Sequence, residues 1–116
     1  MAGHRAARVA EDIRRELAAI FRELKDPRVK TGLLSIVKVD AAHDLSSCKV
    51  YVSSLEGIMV ATTAAAGLKS AAGYIKKELG ERLKLRHIPE LAFVATDSIE
   101  YATNISKMLS GLVGHS

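Results

Sequence analysis

This sequence has few aromatic residues and almost no cysteine. Phenylalanine, tyrosine and tryptophan together make up 4% of the 116 residues, and tryptophan is absent. Because many RNA-binding modules stack bases on aromatic rings, this scarcity weakens an assignment to an RRM or a single-strand-binding module. The one cysteine, Cys48, excludes an internal disulfide and indicates a reducing, cytoplasmic setting.

Long apolar runs are also missing. No stretch reaches the roughly 18 residues of a membrane-spanning helix, and the basic start of the chain is not followed by the apolar run of a signal peptide. We therefore expect a soluble protein without a membrane partner. With 116 residues, of which 48% are hydrophobic and 26% are charged, the chain is predicted to form a single globular domain over residues 1–116.

No set of side chains suggests catalysis or metal binding. Cys48 alternates with Val50 and Val52, which is typical of a buried core position rather than a reactive thiol. The serines show no nucleophile motif with histidine and aspartate. We predict neither an enzyme nor a bound metal or cofactor. The histidines are scattered and show no ligand spacing: they are His4, His43, His87 and His115.

Glycine motifs that bind phosphate are absent, with one formal exception. The segment Gly111-Leu112-Val113-Gly114 matches the GxxG that clamps the nucleic-acid backbone in KH domains. Its central residues are apolar, and it lies close to the last residue of the sequence. Helix termination is therefore the better interpretation of these two glycines.

Hydrophobic periodicity predicts the order α-β-β-α-α-β-α. Apolar residues spaced by three and four predict a first helix over residues 5–24, which Asp26-Pro27 ends. The runs "LLSIVKV" and "SCKVYVS" predict a β-hairpin, and "PELAFVA" predicts a third strand. The alanine-rich residues 56–85 predict two helices, and residues 97–112 predict a last one. We expect a two-layer α+β domain with a three-stranded sheet.

Positive charge is concentrated in two segments. The net charge is +4, but residues 5–30 hold eight Arg/Lys against five Asp/Glu, residues 69–87 hold six against two, and the remainder holds three against six. A single such charge is usually a solvated helix face, whereas a cluster is the electrostatic footprint of phosphate binding. The basic candidates for RNA binding are Lys69, Lys76, Lys77, Arg82, Lys84, Arg86, Arg5, Arg8, Arg15, Lys25 and Arg28.

A glycine interrupts the helical pattern of "KSAAGYIKKEL", residues 69–79. Glycine inside a helix costs about 1 kcal/mol relative to alanine because it loses more backbone freedom. Gly73 therefore indicates either a packing requirement or a break in the helix. We predict an interruption at Ala71-Ala72-Gly73, with lysines on both sides of it.

Five stretches spread over about residues 5–112 carry a resemblance to a known family. They are "RVAEDIRRELAAI", "KDPRV", "DLSSCKVYVS", "SAAGYIKKEL" and "LRHIPELAFVATDSIEYATNI". Together they resemble the ribosome-binding factor A family of bacterial small-subunit maturation factors. This resemblance implies a type II KH domain, α-β-β-α-α-β, in which an Ala-x-Gly kink at Ala71-Ala72-Gly73 replaces the usual GxxG. Some members carry an extended charged C-terminal tail, whereas this sequence ends at Ser116.

The resemblance also implies a function in ribosome assembly without catalysis. The expected partner is the immature small ribosomal subunit, with contacts to its ribosomal RNA near the decoding and neck region. The family also implies a role in late rRNA processing and cold adaptation, and release by an assembly GTPase. We expect a cytoplasmic monomer. The alternative is a protein-interaction module in which the small-residue helix "IMVATTAAAGL" packs on a partner.

The residues around Gly73 are predicted to meet RNA phosphates. Lys69, Lys76 and Lys77 would neutralise phosphate charge on the two sides of the kink. The small Ala71 and Gly73 would let the two backbones approach each other, close to the positive end of the following helix. Such contacts supply affinity but little sequence information. Further contacts are expected from Arg82, Lys84 and Arg86 and from Arg5, Arg8, Arg15, Lys25 and Arg28.

Overall fold

A computed structural model describes residues 2–30 and 34–97 of the chain. Over these residues the elements follow the order α1-α2-β1-β2-α3-α4-β3. The α+β class and the three-stranded sheet predicted from the sequence are confirmed. The predicted C-terminal helix lies outside the described residues. The bounds are α1 Ala2–Glu23, α2 Pro27–Lys30, β1 Leu34–Ala41, β2 Ser47–Ser54, α3 Ile58–Ser70, α4 Ala72–Leu83 and β3 Glu90–Ala95.

The first helix buries the apolar stripe that its sequence predicts. Apolar residues three and four apart share one face of an α-helix, so a single surface of α1 turns towards the sheet. The opposite face carries charged side chains that are exposed, which include Arg8 and Arg15. The buried members of the stripe are Ile13, Leu17, Ile20, Phe21 and, just after the helix, Leu24.

The end of α1 is set by Asp26 and Pro27, as predicted. The helix stops at Glu23, and Pro27 then begins the short helix α2, where a missing N–H costs no hydrogen bond. The Arg28 backbone N–H donates to Oδ1 of Asp26 at 2.9 Å. Asp26 thereby satisfies a free amide at the start of α2, which the sequence pattern did not predict.

Strand β2 forms the centre of the sheet. It pairs antiparallel with β1 and parallel with β3. Cys48, Val50 and Val52 on one face are buried, as the alternating pattern predicts. The other face carries Lys49, which is exposed, and Tyr51, which is half-buried.

The helices cover the face of the sheet that carries Cys48, Val50 and Val52. Helix α1 packs on β1, α3 packs on β2 and β3, and α4 contacts α1. One continuous hydrophobic core therefore lies between the helical layer and the sheet. Its fully buried helical members are Ile13, Leu17, Ile20, Leu68, Ile75 and Leu79.

We predict that the thiol of Cys48 is unreactive in the native protein. Burial raises its pKa to about 11, and the negative charge of Asp40 adds to the effect, so little thiolate exists at pH 7. Labelling with a disulfide reagent at pH 7 is expected to be more than about 100-fold slower in buffer than in unfolding urea, because both thiolate fraction and access are lost. Similar rates in the two conditions would show that β2 is not covered by the helices.

Candidate nucleic-acid interface

The two central helices meet at one residue, Ala71. Helix α3 ends directly before it and α4 begins directly after it, with Ala71 at φ −94° and ψ 9°. The Ala71 N–H donates to the carbonyl oxygens of Gly67 and Leu68 at 3.1 Å, and its own carbonyl accepts from the Ile75 N–H at 2.9 Å. No side chain caps the start of α4. The predicted interruption is confirmed, and it falls two residues before the glycine that suggested it.

Gly73 is not required by the packing of the fold. It lies in the first turn of α4 and has no positive φ, and a Cβ at this position would have no atom within 4 Å. Gly67 is the opposite case, because a Cβ there would lie 3.1 Å from side-chain atoms of both Arg28 and Val29. Close packing of α2 on α3 therefore explains Gly67. At Gly73, by contrast, no described residue fills the space that a side chain would occupy.

Two exposed lysines flank this open backbone. Lys69 lies in the last turn of α3 and Lys77 lies in α4, and neither has an ion-pair partner among the described residues. Lys76 is half-buried, and its Nζ forms an ion pair with Oε1 of Glu90 at the start of β3. Part of its charge is therefore used to join α4 to the sheet. We define the kink surface as Lys69, Ala71, Gly73, Lys76 and Lys77.

Arg82 is the centre of an ion-pair network between α4 and α1. Its Nη2 donates to both carboxylate oxygens of Glu23 at 2.8 Å and to Oε1 of Glu78 at 3.2 Å. Its Nη1 lies 3.8 Å from Oε1 of Glu16. The hydrogen bonds to Glu23, followed by those to Glu78, raise the pKa of Arg82. The structure thus gives this predicted RNA contact a role inside the fold, where it joins two helices.

Lys84 ends α4 in a conformation that favours glycine. Its backbone lies in the left-handed region, at φ 52° and ψ 36°, and its N–H donates to the Gly80 carbonyl at 2.9 Å. A residue with a Cβ costs roughly 1 kcal/mol or more there. The Lys84 side chain is exposed, and so is that of Arg86.

Lys25 emerges near the same end of the molecule. It is exposed and follows Glu23 by two residues, just as Lys84 follows Arg82 by two residues. Because Glu23 and Arg82 are in direct contact, the ends of α1 and α4 lie together. We define the helix-end surface as Lys25, Lys84 and Arg86.

The other predicted RNA contacts lie on α1 and α2 and belong to neither of the two surfaces defined above. Arg5 and Arg8 are exposed on α1, without an ion pair among the described residues. Arg15 Nη2 lies 3.2 Å from an aspartate one turn earlier. The Arg28 guanidinium binds both carboxylate oxygens of Asp26, at 3.1 and 2.7 Å, and these hydrogen bonds lower the pKa of Asp26.

The predicted basic candidates near α4 therefore form two separate surfaces. The kink surface extends from the last turn of α3 to the middle of α4, and the helix-end surface follows the last turn of α4. Along α4, Gly73 precedes Lys84 by eleven residues, roughly 16 Å, and Lys77 precedes it by seven residues, roughly 10 Å, at 1.5 Å per residue. An RNA that touches both surfaces must follow the length of this helix.

The alternative interpretation proposed that the small-residue helix, now α3, binds a protein partner. Its small face packs into the protein's own core, which removes the basis for the alternative interaction module. Its outer face does expose Met59, with 79% of its surface accessible, at the start of α3. The buried residues of α3 are Ala61, Ala64, Ala65, Gly67 and Leu68.

The described part of the chain holds neither a metal-ligand cluster nor a membrane-spanning helix. Within residues 2–30 and 34–97, no group of three or more histidine, cysteine or acidic side chains is placed to hold a metal ion. Over the same residues, no helix combines the length and apolar character needed to cross a bilayer.

Comparisons with known proteins agree on one family. The family model described as ribosome-binding factor A matches residues 5–109. The ribosome-binding factor A of Heliobacterium modesticaldum is 43% identical over 99% of this chain and 94% of that protein. The crystal structure of the Thermus thermophilus factor matches with a TM-score of 0.69 and 28% identity, over 78% of this chain and 93% of that one. A homology model of the Thermus thermophilus factor, fitted into a cryo-EM map of its 30S complex, matches with a TM-score of 0.59 and 26% identity over 79% of this chain and 91% of that one.

We predict that Arg82 and Lys77 differ in their effect on folding. In Arg82→Gln, the carboxylates of Glu23 and Glu78 lose their shared cation, so the urea midpoint of unfolding should fall. Lys77→Gln removes a charge that has no ion-pair partner within residues 2–30 and 34–97 and should leave the midpoint unchanged. Circular dichroism during urea unfolding measures both. Equal midpoints for the two variants would contradict a stabilising role of the network.

Proposed function

The chain belongs to the ribosome-binding factor A family, and we propose that it binds the immature small ribosomal subunit through ribosomal RNA. It is a non-catalytic ribosome biogenesis factor that assists late subunit maturation and rRNA processing. The 30S complex of the Thermus thermophilus relative supports the small subunit as the partner. This function acts through contact with the particle, without a reaction at any side chain.

The open backbone at Gly73 is the observation that carries the RNA-binding proposal. Among the described residues, no atom lies within 4 Å of a Cβ placed at Gly73, and Lys69 and Lys77, on either side of it, have no ion-pair partner there. The phosphate backbone of an RNA strand can approach a helix more closely at a glycine than at a residue that carries a side chain. The two lysines then neutralise the charge that such an approach brings.

The helix-end surface supplies a second contact to the same partner. Lys25, Lys84 and Arg86 are exposed where α1 and α4 end together. Cations at two separated points constrain the orientation of a bound RNA helix or strand, although they read little of its sequence. We therefore assign specificity to the shape of RNA at one stage of subunit assembly. Arg82 contributes by holding α4 against α1, which fixes the separation of the two surfaces.

Several finer features of this function rest on family resemblance. We propose that the fold is of the type II KH class, with Ala71 and Gly73 at the place of its nucleic-acid loop. We also propose that the protein works as a monomer in the cytoplasm, that it is released by an assembly GTPase, and that it contributes to cold adaptation.

Reversing the charges of the kink surface is expected to weaken subunit binding. Lys69→Glu with Lys77→Glu should lower affinity for immature small subunits at least tenfold. The slope of log affinity against log salt should become less steep by about 0.7 to 0.9 for each phosphate that the protein no longer neutralises. Co-sedimentation with immature and mature subunits at several salt concentrations measures both effects.

A matched control comes from the opposite face of the sheet. Lys38 and Lys49 are exposed there, and their double replacement by glutamate changes the net charge by the same amount. This control should retain at least half of the native affinity. An equal loss of affinity in both double variants would show that net charge, and not the kink surface, causes the effect. Preferential binding to mature subunits would contradict a role in maturation.

Substituting Gly73 should separate stability from binding. Gly73→Ala is expected to raise the free energy of unfolding by about 0.5 to 1 kcal/mol, because alanine is the better helix former and its Cβ meets no atom. The same Cβ should weaken subunit binding by occupying the space of the RNA backbone. Urea unfolding and co-sedimentation measure the two effects.

Gly67→Ala is the control for this substitution. It brings the same gain in helix propensity, but its Cβ meets Arg28 and Val29, so this variant should be less stable than Gly73→Ala. A Gly73→Ala protein that binds subunits with native affinity would show that the kink shapes the fold without touching RNA.

A further inference from the structure

Tyr74 is the most exposed aromatic side chain in the described part of the chain. Phe21 and Phe93 lie in the core, with ring centroids 6.3 Å apart, and Tyr51 is half-buried in the sheet. Tyr74 keeps 48% of its surface accessible. An exposed aromatic ring does not stabilise the folded protein. Contact with a binding partner would give it a physical role.

The position of Tyr74 joins it to the kink surface. It follows Gly73 directly and precedes Lys77 by three residues, which places the two side chains as neighbours on one side of α4. The next residue, Ile75, points into the core, as its complete burial shows. Tyr74 is therefore adjacent to the open backbone of Gly73 and lies one helical turn before Lys77, a cation that has no ion-pair partner among the described residues.

The exposed apolar residues at the other end of α3 do not account for Tyr74. Leu55, Ile58 and Met59 are exposed around the start of that helix. Thirteen residues of α3 separate them from the kink by roughly 20 Å. Tyr74 thus lies among lysines, outside that apolar patch.

The carboxylate nearest to Tyr74 on α4 is hydrogen-bonded to a cation. Glu78 follows Tyr74 by one helical turn and would repel a phosphate near the ring. Its Oε1 instead accepts hydrogen bonds from the guanidinium of Arg82, at 3.4 Å from Nε and 3.2 Å from Nη2. The surroundings of the ring are therefore suited to a polyanion that also carries flat apolar groups.

We propose that the ring of Tyr74 stacks on one unpaired base of the ribosomal RNA, in the strand whose phosphates contact Lys69 and Lys77. This inference rests on the proposed function and adds a contact to a base that the lysines cannot supply. Stacking on an aromatic ring accepts any of the four bases, so it selects a single-stranded nucleotide over a paired one. A strand that becomes paired during maturation loses this contact, which makes Tyr74 sensitive to the state of the subunit.

Three substitutions of Tyr74 test the stacking contact. Tyr74→Ala should weaken binding to immature small subunits by about 5- to 150-fold, the range that one stacked base supplies. Tyr74→Phe keeps the ring and should stay within about twofold of the native affinity, since stacking does not need the hydroxyl. Tyr74→Leu keeps an apolar side chain without a ring and should resemble Tyr74→Ala. All three should unfold at similar urea concentrations, because Tyr74 lies outside the core.

Salt dependence separates stacking from phosphate contact. The Tyr74 variants should keep the native slope of log affinity against log salt, because they remove no charge. Lys77→Gln should make that slope less steep. Chemical probing of unpaired bases should show one nucleotide protected by the native protein and by Tyr74→Phe, but exposed with Tyr74→Ala.

The outcomes distinguish this inference from the proposed function. If the native protein does not prefer immature small subunits, the proposed function fails and the stacking contact fails with it. If the native protein binds and Tyr74→Ala or Tyr74→Leu binds equally well, stacking is overturned while the RNA-binding function stands. A loss of affinity without any change in base protection would assign Tyr74 to a ribosomal protein and would also overturn the proposal.

Discussion

Parallel pairing of β2 with β3 is the constraint on which the rest of the structure depends. The chain leaves β2 at Ser54 and must return to the other end of the sheet to begin β3 at Glu90. One straight helix from Ile58 to Leu83 would span about 39 Å, whereas a six-residue strand spans roughly 20 Å. Dividing the helix at Ala71 lets both halves cover the same sheet face, so the kink follows from the topology.

The kink also decides which side chains remain available to a partner. Both central helices turn their apolar residues towards the common core, where α4 buries Ile75 and Leu79. Its charged residues must lie on the remaining sides, where Arg82 is drawn to Glu23 on α1. Arg82, one of the six cations in residues 69–87, is therefore paired within the fold. It also aligns the ends of α1 and α4, which brings Lys84 close to the exit of α1.

Several residues of the proposed interface do not favour the stability of the isolated protein. Gly73 weakens a helix that has room for alanine, Lys84 occupies a backbone conformation that suits glycine, and Tyr74 exposes an aromatic ring. Each choice alone is small, of the order of 1 kcal/mol for the two backbone positions. The proposed binding surface would account for their occurrence along one helix, because functional sites commonly hold residues that are not optimal for folding.

The sequence by itself determined the α+β class, the buried stripe of α1, the hairpin and a break near Gly73, because burial of one face imposes repeats of 3.6 and 2 residues on apolar positions. It also showed where positive charge is concentrated. Only the tertiary structure decided which of those cations are engaged within the fold. The contact of Arg82 with Glu23 joins residues 59 positions apart, and that of Lys76 with Glu90 depends on the path of β3. Local spacing holds no information about such pairs, since they arise when separate elements pack together.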